Sequence, residues 1–299
     1  DDTQMNADDT QIAADKTQME VSLRSRLLAG SLLCSTCLSA VFSMPSSAAS
    51  LRPSAAHLRA SAAHLRASAA PERLRVEVVR SYPHDRGAFT QGLVFEQGAL
   101  YESTGLVGRS SLRQVELSSG RVIRKTDVPP PVFAEGLALV GDRLFQLSWK
   151  NNRVFTYSRR TFAREAEYAY EGEGWGLCYN GKDLVMSNGS SELTVRRASD
   201  FGVVRTIRVT MEGAPVEHLN ELECVDGVVY ANVWTKDLIV RVNPATGQVT
   251  ARIEAPNLLS PLERQGVDVL NGIAYDSSDK TFLITGKLWP KIFRVRFVK

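Results

Sequence analysis

From Arg73 onward the chain is written in short runs of alternating apolar and polar residues, rich in Val, Leu, Tyr and Phe and separated by Gly, Asn, Asp and Ser. Alternation with period two marks strands that bury one face, and the interruptions mark turns. Stretches with apolar residues at helical spacing are absent. The pattern also repeats: GLVFEQGALYESTG (92–105), GLALVGDRLFQLSW (136–149), GLCYNGKDLVMSNG (176–189), ELECVDGVVYANVW (221–234) and GIAYDSSDKTFLITG (272–286) align as strand, tight turn, strand. In the first four a third run follows (SLRQVEL, RVFTYS, ELTVRRA, LIVRVN), then a fourth (RVIRKTDV, REAEYAY, VVRTIRV, QVTARIEA). The starts at 92, 136, 176, 221 and 272 are spaced by 44, 40, 45 and 51 residues. Four strands per repeat at this period is the mark of a β-propeller. The sequence therefore predicts an all-β fold, a five-bladed β-propeller of four-stranded blades. The fifth unit has three strands, and RLRVEVVRSY supplies the fourth, so an N-terminal strand at about 73–82 is expected to complete the last blade and close the ring. A β-sandwich takes the same strands but explains neither the repeat nor the orphan strands at the two ends.

The first 72 residues break this pattern. DDTQMNA, DDTQIAA and DKTQMEV repeat a polar heptad without the apolar seam of a coiled coil. LRPSAAH, LRASAAH and LRASAAP fill 51–71 with a second heptad, too poor in large apolar residues to order itself. Between them come Arg24 and Arg26, an apolar run over 27–42 and small residues at 46–50, the order of a secretory signal, with Met19 a fitting initiator. Residues 1–72 thus read as a disordered leader with a signal-like segment at about 19–50, and 73–299 as the catalytic or binding propeller. The expected location is the secretory pathway or the extracellular space. Cys34 and Cys37 fall inside the apolar run and read as part of it.

Composition narrows the partners. With 43% hydrophobic and 23% charged residues and a net charge of +3, the chain is an ordinary globular protein. That balance offers no case for nucleic acid or for a membrane surface as partner of the mature form, which is expected to be a monomer. Beyond residue 71 only His84, His218, Cys178 and Cys224 remain of four His and four Cys, a poor inventory for a zinc site. Cys178 and Cys224 lie in neighbouring first strands, where they can bond, although two free buried thiols fit at least as well.

In a propeller the residues just before the first strand and just after the second emerge on one face, the usual place for a ligand. Here those residues are Phe89, Thr90 and Gln91; Phe133, Ala134 and Glu135; Glu173, Gly174 and Trp175; Leu219 and Asn220; Leu270 and Asn271. On the other side of each hairpin come Glu102–Thr104, Trp149 and Lys150, Ser187 and Asn188, Trp234–Lys236, and Lys287–Trp289. All four Trp of the chain (Trp149, Trp175, Trp234, Trp289) thus fall at one predicted mouth, which points to an aromatic-walled pocket. Glu135 is the charge of interest, since burial at a narrow axis would raise its pKa towards the range of a proton shuttle. Asn271 reads as turn chemistry.

The segments FTQGL (89–93), YESTG (101–105), FAEGL (133–137), LSWK (147–150), GEGWGL (172–177), LNELE (219–223), ANVW (231–234), LNGIAY (270–275) and TGKLWP (285–290) carry a resemblance to a known family. From about 76 to 299 the chain resembles the plant and bacterial type of glutaminyl-peptide cyclotransferase (glutaminyl cyclase), which is a five-bladed propeller. The resemblance implies conversion of N-terminal Gln of peptides and proteins to pyroglutamate with release of ammonia. It assigns Glu135 as catalytic acid/base and aligns Gln91, Trp149, Trp175, Asn220, Trp234 and Lys287 with pocket residues, with Phe89 and Phe133 in the same motifs. Lys287 and Asn220 are expected to assist Glu135 in catalysis, and the others to bind substrate. No catalytic metal or cofactor is expected; some relatives hold a structural cation near the axis, and no ligand cluster for one shows in these residues. The alternative reading is a non-catalytic propeller that binds peptide or protein partners at the same mouth; a calcium-dependent lactonase-like propeller would need several axial carboxylates, and only Glu135 is well placed for that.

Overall fold

A computed structural model describes residues 70–299, so the signal-like segment and the heptad repeats lie outside the described residues, save the last two residues of 51–71. The first strand, β1, runs Glu72–Pro83. Then come β2 (Thr90–Glu96), β3 (Ala99–Thr104), β4 (Ser111–Glu116) and β5 (Arg121–Asp127), followed by β6 (Ala134–Val140), β7 (Arg143–Ser148), β8 (Arg153–Ser158) and β9 (Arg164–Ala169). A third group holds β10 (Leu177–Tyr179), β11 (Asp183–Ser187), β12 (Glu192–Arg197) and β13 (Val203–Arg208). After a small hairpin, β14 (Thr210–Met211) and β15 (Ala214–Pro215), come β16 (Leu219–Val225), β17 (Val228–Val233), β18 (Leu238–Val242) and β19 (Val249–Glu254). The last are β20 (Leu270–Asp276), β21 (Thr281–Gly286) and β22 (Lys291–Val298). Each group is an antiparallel meander; three form separate four-stranded sheets, and β16–β19, β1 and β22–β20 join in one eight-stranded sheet.

Local sequence explains the hairpins. Gln97 and Gly98, and again Asp226 and Gly227, take positive φ at both central positions of their turns, at 52° and 81° and at 49° and 79°. Such paired turns match the right-handed twist of the strands they join. Burial falls from the inner strand outward: β2 is mostly buried, whereas β5 is mostly exposed. β1 pairs antiparallel with β22 from Arg75↔Val298 to Pro83↔Lys291, as the orphan strand required. Its first residues, Glu72–Arg75, also pair in parallel with β19, a contact the repeat did not foretell. Glu72 anchors that corner by accepting from Arg241 Nη2 at 2.8 Å.

The core lies between the sheets. One cluster joins Tyr101 and Leu112 to Leu137 and Phe155, and the next joins Phe145 and Leu147 to Leu184 and Phe201. A third joins Val185 and Leu193 to Leu222 and Val240, and a fourth joins Ile239 and Ile253 to Ile273 and Ile284. A fifth returns to the start, packing Leu93 and Leu100 on Ala274 and Leu283. Each meander thus packs against the next, and the last packs on the first, the all-β ring of meanders found in β-propellers. Cys178 of β10 and Cys224 of β16 are joined in a disulfide, so the structure decides against two free thiols. The pairing follows from adjacent inner strands that bring the two Cα atoms to 5.5 Å.

Candidate active site

Five positions equivalent in the repeat stand at the head of the inner strands: Gln91, Glu135, Trp175, Asn220 and Asn271. In four of these strands the pairing register shifts at this point, between Thr90 and Gly92, Ala134 and Leu137, Leu219 and Leu222, and Leu270 and Ile273. Such irregularities re-aim side chains out of the ladder. The residue that follows is Gly92, Gly136, Gly176, Glu221 or Gly272. A Cβ on Gly92 would stand 2.4 Å from Leu137 N, one on Gly136 2.5 Å from Leu177 N, and one on Gly176 2.1 Å from Asn220 O. The inner strands therefore meet backbone to backbone, which draws the preceding side chains around one axis. In the fourth sheet Glu221 stands where the others have Gly. Its buried carboxyl accepts from Leu93 N at 3.2 Å and from Ile273 N at 2.7 Å, tying three of the meanders together.

Glu135 is 1% exposed. Gln91 Nε2 donates to its Oε1 at 3.1 Å, and Asn271 Nδ2 donates to Gln91 Oε1 at 3.2 Å and to Thr90 O at 3.0 Å. Asn271 is thus a support of Gln91 and not a turn cap, as its shared position in the repeat already signalled. Glu135 Oε2 and both amide atoms of Asn220 have no hydrogen-bond partner among the described residues. Buried polar atoms are rarely left so, and each calls for a partner that the described residues do not supply. Burial pushes the Glu135 carboxyl well above the ordinary value; the Lys287 ammonium pulls it back and Glu173 pushes it further. Glu102, also fully buried, goes the other way. Arg113 Nη2 donates to it at 2.6 Å, Thr90 Oγ1 at 2.7 Å, and the His84 ring lies at 3.0 Å, so these partners hold its carboxyl below the ordinary range. The two carboxylates separate by environment: Glu102 is fixed as an ion, and Glu135 is poised to exchange a proton.

The aromatic residues of the same turns pack on one another. The Lys287 ammonium lies 4.9 Å from the Phe89 ring centre, and Phe89 meets Phe133 edge-on at 6.1 Å. Phe133 meets Trp149 at 5.6 Å, and Trp175 meets Trp234 edge-on at 5.9 Å. Trp149 and Trp175 are buried, and Trp234 is the part-exposed member at the rim. The structure therefore gathers Phe89, Gln91, Phe133, Glu135, Trp149, Trp175, Asn220, Trp234 and Lys287. It removes Trp289 from the wall: that ring packs on Phe293 in the core beneath the last sheet, with Nε1 donating to Asp268 O at 2.9 Å. A mouth position in the chain did not suffice, because the turn after β21 folds the ring back over Gly286, where a Cβ would lie 2.3 Å from the indole.

Two further acids, Glu221 and Glu223, are not singled out by the sequence reading. Glu221 is pushed well up by burial and by Glu223. Glu223, at the other end of the inner strands, lines a cavity of about 230 Å³ with Leu139, Cys178, Tyr179 and Tyr275, and burial pushes it up to about 8. The break in the glycine pattern at LNELE was the available signal for Glu221. Among the described residues no group of three His, Cys, Asp or Glu side chains is arranged to hold a metal ion.

A family model described as glutamine cyclotransferase matches residues 50–297. A glutaminyl-peptide cyclotransferase of Arabidopsis thaliana is 41% identical over 230 residues, which are 74% of this chain and 71% of the relative. The crystal structure of Myxococcus xanthus glutaminyl cyclase superposes with a TM-score of 0.69 at 41% identity, covering 76% of this chain and 98% of that one.

Proposed function

The chain belongs to the glutamine cyclotransferase family, and from that premise we propose that it cyclises N-terminal glutamine of peptides and proteins to pyroglutamate, releasing ammonia. The observation that carries the reading is the buried Glu135 carboxyl, with one oxygen on Gln91 and the other unpartnered, and with the amide of Asn220, at the equivalent head of another inner strand, unpartnered too. The fold is read as a five-bladed propeller, with the eight-stranded sheet taken as two blades that meet at their rims through β1 and β19; the cyclic order of the sheet-to-sheet clusters supports this.

The substrate's α-amine attacks the γ-carboxamide carbon of the same residue. Holding the side chain folded supplies much of the rate, because the reaction is intramolecular. The amine attacks as the neutral form, accessible near pH 7.5 from a pKa of about 7.7–8. Glu135 as carboxylate takes a proton from the attacking nitrogen and delivers it to the departing one. The new C–N bond closes the ring, the old C–N bond breaks, and ammonia leaves. Lys287, Asn220 and Gln91 donate to the oxyanion that forms between these steps; one such donor is worth about 3 kcal/mol. Phe89, Phe133, Trp149, Trp175 and Trp234 hold the side chain and exclude water, which suppresses hydrolysis to glutamate. No step calls on a metal or organic cofactor. Incubation of the purified chain with a Gln-initiated peptide tests the proposal by mass spectrometry: loss of one ammonia is expected, and an unchanged peptide overturns it.

A further inference from the structure

Trp149 and Trp175 come from different sheets, one following β7 and the other preceding β10. Their indole nitrogens nevertheless converge on one atom: Glu173 Oε2 accepts from Trp149 Nε1 at 2.9 Å and from Trp175 Nε1 at 3.1 Å. Both rings are buried, at 2% and 1% exposure, and the half-buried Glu173 supplies the acceptor for both N–H groups. An indole has one donor and no acceptor, and a buried indole N–H needs a partner. The backbone that carries Glu173 is itself anchored. Gly174 N donates to Trp149 O at 3.1 Å, Asn152 Nδ2 donates to Gly172 O at 2.6 Å, and Tyr170 N donates to Asn152 O at 3.0 Å. Gly174 is packed so closely on the Tyr170 hydroxyl that a Cβ would stand 2.3 Å away. The segment between β9 and β10 is therefore a fixed bracket whose side chain points at the two rings.

We propose that Glu173 is a positioning residue, one that locks the two inner indoles into the wall that fits a glutamine side chain. The inference rests on the cyclisation reading for its substrate and on the hydrogen-bond geometry for its residue. Glu173 holds no reacting atom; it acts through Trp149 and Trp175, and its charge also faces Glu135.

Two substitutions separate geometry from charge. Glu173→Ala removes the acceptor and orphans two buried N–H groups. KM for a Gln-initiated peptide is expected to rise about tenfold, the worth of one hydrogen bond to a charged group, with a smaller fall in kcat. The indole emission shifts to the red as the rings loosen. Glu173→Gln keeps a carbonyl oxygen with two lone pairs and loses the charge. Its KM and emission stay near those of the unsubstituted protein, while the acid limb of kcat/KM moves to lower pH, since a negative charge that opposed ionisation of Glu135 is gone. An unchanged KM and emission in E173A overturns the proposal. Should E173A fail to fold, E173Q decides: a shifted emission or a raised KM overturns it, because the retained carbonyl oxygen then fails to hold the indoles. If the unsubstituted protein releases no ammonia, the reaction proposed above falls, and the emission of E173A still decides whether Glu173 holds the indoles.

Discussion

At the scale of the residue, the site turns on how surroundings divide two buried carboxyls. Glu102 is held ionised by Arg113, and Glu135 is held near its proton by desolvation. Glu135→Gln keeps the shape and the bond to Gln91 but cannot accept a proton. Turnover is expected to fall by about a hundredfold or more with the fold intact, measured as ammonia release beside a melting curve. Because Glu135 must be ionised to act, kcat/KM divided by the fraction of substrate amine that is neutral still falls as pH drops through the raised pKa of Glu135, and this acid limb lies above the range of an ordinary carboxylate. A quotient that stays flat down to about pH 4.5 contradicts the assignment. Most of this site was legible in the chain, since Gln91, Glu135, Trp175 and Asn220 share one place in the repeat. Asn271 shares it too, and was misread because an Asn before a Gly looks like a turn. Trp289 was over-read for the converse reason: its position along the chain matched, and its rotation into the core did not show.

At the scale of the element, the glycines after the ring of polar residues set how closely the inner strands approach. Gly176→Ala would place a methyl group 2.1 Å from Asn220 O, against backbone that cannot give way. Such overpacking costs about 1–3 kcal/mol. The variant is expected to melt at lower temperature and to lose turnover together, because Trp175 and Asn220 flank the contact; a stable variant with full activity contradicts this account of the motif. The strands themselves were legible because alternation and turn residues are local properties. The hairpin of β14 and β15 was not, being two residues on each side and without a period. Nor was the parallel pairing of β1 with β19, which joins residues far apart in the chain.

At the scale of the whole molecule, the cavity lined by Glu223 carries a second pH response. Glu223 is pushed up to about 8 by burial, against the help of the N–H groups of Tyr275 and Cys224. A carboxyl raised in the folded state favours folding fully at pH below its unfolded value, about 4.5, and loses that contribution as pH rises through about 8. Glu223→Gln is therefore expected to melt above the parent at about pH 9, with the advantage gone at about pH 5, by thermal unfolding in both buffers. An advantage independent of pH rules out titration of Glu223 as the cause. The disulfide Cys178–Cys224 spans 46 residues and ties the third sheet to the fourth. Closing a loop of that length restricts the unfolded chain by about 4 kcal/mol. Reduction should lower the melting temperature while the folded enzyme keeps its turnover, since the bond sits beside Glu223 at the far end of the inner strands from Glu135.

The chain by itself determined the strand content, the order of the meanders and which residues head the inner strands, because period, turn chemistry and repeat are written in neighbouring positions. Only the tertiary structure decided that Cys178 and Cys224 bond, that Glu173 holds two indoles, that Glu102 and Glu135 part in charge, and that Trp289 leaves the wall. Those outcomes depend on distances between remote segments and on the removal of water around a group, and neither quantity is a property of any stretch of sequence taken alone.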